Sequence, residues 1–180
     1  MGATAPMKHL SSALILPLLL SATALASTIP TATGTALDGH SVSLPRDLSP
    51  HATILILGFS RNSQDATTAW EKPVRTSLAS PDIAFFDMPF LEDAPSLIRP
   101  MIVRAIRKQV PDVLKPRFVP LTSGESAWKQ SAGFNPSAPD AAYVLLVDRS
   151  GRVLWQTHEP FSQARFDQLA TTARDLATRP

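Results

Sequence analysis

The 180-residue sequence contains no cysteine. That absence excludes disulfides, dithiol redox couples, thiolate nucleophiles, iron–sulfur clusters and Cys-ligated zinc. A lipid-modified cysteine anchor is not expected either. Glycine is scarce, at 7 residues, and none of these form a Gly-x-Gly-x-x-Gly or phosphate-binding loop. The Gly-x-Ser-x-Gly elbow of serine hydrolases is missing. An excess of one charge is lacking too. The 17 Lys and Arg stand against 15 Asp and Glu, for a formal charge of +2, which gives no broad basic surface for nucleic acid. Past residue 26 no run nears the ~20 apolar residues of a membrane span. His40, His51 and His158 have no metal-ligand spacing, and Asp82, Asp87, Glu92 and Asp93 lack the alternation and glycine of a calcium loop. No metal or cofactor is expected.

What is present begins with an address. Met7-Lys8-His9 leads into the apolar run Ser11–Leu20 and then Ala24-Leu25-Ala26. A cationic start, a short apolar stretch and a small-x-small ending predict a signal peptide over 1–26, with Met7 serving as a start as well as Met1. The product is expected to be exported, into the periplasm or beyond. Residues 27–33, small and proline-containing, read as a flexible lead-in. Residues 34–180 read as one domain, because 44% apolar residues suffice for a core at this length.

Within that domain the elements follow a simple succession. Gly34–Leu44 carries Asp38-Gly39 between alternating stretches, a hairpin. Thr53–Phe59 is a continuous apolar run, a strand buried on both faces. A helix follows through about Ser80, with Ala66, Ala69, Trp70, Val74 and Leu78 on one side and Pro73 expected to kink or restart it. Ile83–Phe90 is the next strand. Pro100–Val110 is a helix with Ile102, Val103, Ile106 and Val110 on one side and Arg104, Arg107 and Lys108 on the other. Arg117–Thr122 is a short strand or extended link, and Ser123–Gly133 a short helix. Tyr143–Asp148 turns through Arg149-Ser150-Gly151 into Arg152–Trp155, a second hairpin. Ser162 caps the last helix, with Phe161 and Phe166 placed as a hydrophobic staple.

A buried strand, a crossover helix and a parallel strand, followed by a hairpin and a final helix, make a three-layer α/β arrangement with a mixed central sheet and an N-terminal hairpin. That order, with the opening "DGHSVSLPRDL" and "ATILILGFS", resembles the thioredoxin-like fold and peroxiredoxin-type proteins. The stretch where a redox member carries Cys-x-x-Cys is here Gln64-Asp65-Ala66-Thr67-Thr68. Within that superfamily, "FSRNSQDATTAWEKPV", "IRKQVPDVLKPRFVPLT" and "YVLLVDRSGRVLW" resemble the mitochondrial ATP synthase Fo-sector assembly factor family. Together the three cover most of 34–176. The resemblance implies an assembly or chaperone-like role without thiol catalysis, with a protein partner such as a membrane complex.

Arg61, Asn62, Gln64 and Asp65 fall at the carboxyl end of a central strand beside a helix N-terminus, where α/β proteins commonly meet their ligands. They are candidate partner-binding residues. The alternative for Arg61 is a plain ion pair with Asp65 or Asp87. Trp70 reads as core, whereas Trp155 at a strand end is either core or a partner anchor. Arg104, Arg107 and Lys108 are a candidate membrane or partner face, or else a solvated one. The chain is expected not to be an enzyme. The alternatives are a cysteine-free enzyme on the same scaffold, using Arg61 with Thr67 or Thr68, or a small-ligand binder.

Overall fold

In a computed structural model of the protein, the described residues are Gly2 and 27–178; the signal-peptide reading lies outside them. Strands β1 (Ala32–Thr35) and β2 (Ser41–Leu44) form the expected antiparallel hairpin. Strand β3 (Ala52–Gly58) is buried along its whole length, as a run of Ile and Leu without polar alternation requires. Helix α1 (Gln64–Ser77) crosses over to β4 (Ile83–Pro89), which pairs parallel to β3. Helices α2 (Arg99–Gln109) and α3 (Glu125–Ser131) follow, with a 3-10 stretch at Asp112–Arg117 between them. Strand β5 (Ala142–Val147) runs antiparallel to β3 and to β6 (Val153–Thr157), and α4 (Gln163–Ala177) closes the chain.

The main sheet has the order β4-β3-β5-β6, mixed in direction as expected. Period-2 alternation sends its side chains into two separate cores. Ile54, Ile56, Phe85, Val144 and Leu146 pack under α1 and α4. Leu55, Leu57, Phe86, Met88 and Leu145 pack under the hairpin, α3 and Val119 to Leu121. The result is three layers. Among the described residues no helix is long and apolar enough to cross a membrane.

One local expectation is corrected and two are narrowed. The segment read as a flexible lead-in is docked: Thr28 bridges Arg152, the Ile29 N–H donates to Gly151 O at 2.8 Å, and Ile29 is buried. An apolar side chain beside an open strand end is enough to hold it. Of the kink or restart expected at Pro73, the restart does not occur: α1 is one helix through it, with Trp70 and Val74, one turn apart, buried on the same core. The Arg117–Thr122 stretch, read as a short strand or extended link, is the extended link. It touches β4 only through isolated bridges, Asp87 with Phe118 and Phe90 with Leu121.

The late hairpin turns on one carboxylate. Asp148 Oδ1 accepts from the Ser150 and Arg152 N–H groups and from the Ser150 hydroxyl, and Oδ2 accepts from Arg152 Nε at 3.1 Å. Gly151 takes a φ of 80°, as the tight turn needs. Asp148→Ala is expected to cost about 1–3 kcal/mol, since several donors lose one acceptor together. Chemical denaturation checks this, and a loss under about 0.5 kcal/mol would mean that water replaces the carboxylate without cost.

Candidate functional site

The carboxyl end of β3 opens into the first turn of the crossover. Ser60 ends the extended run, and its Oγ accepts from the Asn62 N–H while donating to Asp140 Oδ1. Ser63 Oγ donates back to Ser60 O at 2.7 Å. Gly58 permits this fold-back, because a Cβ there would lie 2.5 Å from Ser63 Oγ. The first turn of the crossover is thus held by hydroxyls and a carboxylate.

Beside that turn lies a half-open groove of about 800 Å³, walled by α1, β4 and α2. Helix α2 is its unusual wall. None of its residues is buried, yet Ile102 and Ile106, with Val110 just past its end, line the groove. Its start is tied down by Arg99, which donates to Ala94 O, Glu92 O and Thr122 O. The apolar surface continues outward through Ile98, Met101 and Leu97, the last of these 93% exposed. Exposed apolar patches of this kind on a small domain mark contact sites more often than chance.

At the groove floor sit two carboxylates that the sequence did not single out as a pair. Asp87 lies on β4, on the face that α1 covers, and Glu71 projects from α1 toward the same region; each is only 8% exposed. Glu71 Oε1 accepts from Arg75 Nε at 2.7 Å. Asp87 has no hydrogen-bond donor on its carboxylate among the described residues. Burial, with the negative charge of Glu71 as the lesser cause, pushes its carboxyl up to about 7.

The sequence-derived candidates divide. Arg61 and Gln64 line the groove, both exposed, and Arg61 pairs with neither Asp65 nor Asp87. Asn62 Nδ2 reaches Asp140 Oδ2 at 3.4 Å, so it braces the turn, and Asp65 is exposed outside the groove. Thr67 and Thr68 line the groove, Thr67 with its hydroxyl on Gln64 O. Trp155 sits on β6, at the opposite edge of the sheet from β4, half-buried edge-on against Trp70. Arg104, Arg107 and Lys108 are exposed on α2 and do not line the groove. The histidines stay apart: His40 lies 2.6 Å from Asp38, His51 lies 3.7 Å from Asp82, and His158 stacks on Tyr143.

Glu71 and Asp87 were hidden by distance along the chain. The only sequence signal was an acid inside each of two apolar patterns, "FFDMP" and "AWEKPV". The pair offers a titratable group in an apolar setting; nothing there supplies a nucleophile of thiolate strength.

No family model matches the chain, and no curated protein matches it by sequence. Solved structures do. A putative electron transport protein from Aquifex aeolicus superposes with a TM-score of 0.61 at 16% identity, over 84% of this chain and 99% of that one. BsSco, of the Sco family of cytochrome c oxidase assembly proteins, gives 0.59 at 15% identity, over 87% and 96%. The exposed lipoprotein thioredoxin of Streptococcus pneumoniae gives 0.57 at 8% identity, over 79% and 99%. The element order, the mixed sheet and these superpositions agree, and the chain has the thioredoxin-like fold.

Proposed function

We propose that this chain is an exported, thiol-free binding protein that holds an apolar segment of a protein partner in the α1–β4–α2 groove, in the service of assembling a membrane complex. One observation carries the reading. On a scaffold with no cysteine, α2 buries none of its residues and keeps its apolar side over an open groove. Such a helix gains burial only when something else fills the space. Two likenesses support an assembly role: the Sco family of BsSco, and the motifs resembling Fo-sector assembly factors. The signal-like start supports export. Arg104, Arg107 and Lys108, turned away from the groove, add a weak pull toward acidic lipid of about 1 kcal/mol each, too little for stable attachment alone.

The test is recovery of partners by the tagged protein from gently solubilised envelopes, with Ile106→Glu and Arg61→Ala alongside. Subunits of a membrane complex, those of the ATP synthase Fo sector foremost, are expected with the wild type. Recovery is expected to fall at least tenfold with Ile106→Glu, at a stability cost within about 1 kcal/mol because Ile106 is not buried. Equal recovery by a folded Ile106→Glu protein would remove the groove from the reading.

A second reading rests on Asp87. A carboxyl poised near 7 beside a cavity suits general acid–base catalysis. Turnover of a defined substrate, abolished by Asp87→Asn, would replace the binding role with an enzymatic one.

A further inference from the structure

Asp87 is the group in the groove that the protein itself leaves unserved. It is 8% exposed, lines the groove and receives no donor on its carboxylate from the described residues. An ionised carboxylate in that position has given up most of its water and gained no donor from the described residues in exchange. The charged groups facing this space from each wall are otherwise engaged or solvated. On α1, Arg75 is bonded to Glu71 and Lys72 is exposed. Arg117 rests 5.8 Å from the Phe86 ring centre, and Arg61 and Asp93 are exposed at the rim. Helix α2 presents only apolar residues and Gln109.

The surroundings say what would complete Asp87. Phe85, Phe90, Ile102, Ile106 and Leu114 make apolar walls around one acidic point. A lysine side chain matches that pattern, with an apolar four-carbon stem and a compact head of three donors. The volume of about 800 Å³ exceeds one such side chain, and the apolar surface runs on to Met101 and Leu97 outside the groove. That continuity fits a chain segment better than a free amine. We propose that the groove seats the ammonium group of a lysine, carried on the partner's apolar segment, against the Asp87 carboxylate. The inference rests on the groove reading given above and adds the chemistry that selects the segment.

The test uses the full protein and labelled nine-residue peptides of leucine and serine with lysine, norleucine or glutamate at the centre, read by fluorescence anisotropy. At pH 8 the lysine peptide is expected to bind at least tenfold tighter than the norleucine peptide, and the glutamate peptide weakest. At pH 5, where Asp87 holds its proton, the preference for lysine is expected to fall to within about twofold. Asp87→Asn is expected to abolish that preference at both pH values while leaving norleucine-peptide binding intact, so a misfolded variant is recognised at once. Equal binding of lysine and norleucine peptides to the wild type, or a preference that survives Asp87→Asn, overturns the lysine seat. If Ile106→Glu still abolishes binding in that case, the groove reading stands without it. Hexylamine displacing the lysine peptide at equal concentration would show that a free amine suffices and overturn the segment as occupant. Failure of every peptide to bind overturns both.

Discussion

The Asp87→Asn protein is expected to be more stable than the wild type above pH 7, on the order of 2–4 kcal/mol, and to match it near pH 4. Burial, aided by Glu71, holds the folded carboxyl at about 7, against an ordinary 3.8. Between those values the folded protein keeps a proton that the unfolded chain releases. The unfolded state then binds fewer protons, so wild-type stability declines as pH rises from about 4 to 7 and levels off above that. Each decade is worth about 1.4 kcal/mol, which sets an upper bound near 4 kcal/mol. Asparagine has the same shape and no charge, so the decline should vanish. Asp47, Asp112 and Asp148, all held below the usual carboxylate range, contribute the opposite slope at low pH. They do so equally in both proteins and cancel in the difference. Urea unfolding of the two at pH 4 and pH 8 decides it; a difference that does not change with pH would mean the carboxylate finds water in the groove.

Trp70→Ala is expected to cost about 3–5 kcal/mol, the range for truncating a large core aromatic. Trp70 is 1% exposed and joins three elements, with ring centres 6.2 Å from Trp155 on β6 and 5.3 Å from Phe161 at the head of α4. Its indole N–H finds no acceptor among the described residues. Trp70→Phe should therefore cost clearly less than the alanine change, since it removes an orphan donor along with the lost area. Trp155→Ala, at a half-buried site, should cost about 1–2 kcal/mol and leave partner recovery unchanged, because Trp155 lies across the sheet from the groove. Thermal unfolding ranks the three. If Trp155→Ala spared stability and abolished recovery instead, the partner surface would lie at β6, and the groove would not be the site.

Much of the frame was readable from local pattern. β3 and β5 announce themselves as uninterrupted apolar runs, since a strand covered on both faces has no reason to alternate. The Ser162 cap accepts from the Arg165 N–H, and the Phe161–Phe166 staple stands at 6.2 Å between ring centres, both as the spacing predicts. Such features depend on residues only a few positions apart. The docking of Thr28 and Ile29 was not readable, because their partners, Gly151 and Arg152, come from the far end of the chain. For Arg117–Thr122 the sequence left a short strand or an extended link open, and only the isolated bridges to β4 chose the link.

The sequence by itself determined that no thiol chemistry is available, that two strands are covered on both faces, and that α2 has an apolar side opposite a basic one. Those follow from residue identity and from periods of 2 and 3.6, which need no knowledge of neighbours. Only the tertiary structure decided that the apolar side of α2 faces an open groove, and that Asp87 lies at its floor with Glu71 beside it and no donor on its carboxylate among the described residues. Alternation along β4 puts Asp87 on the face of Phe85, but which helix covers that face, and how closely, is set by the crossover of α1 and the pairing of β4 with β3. A pKa is a property of what surrounds a group, and in this chain the surroundings come from elements remote in sequence.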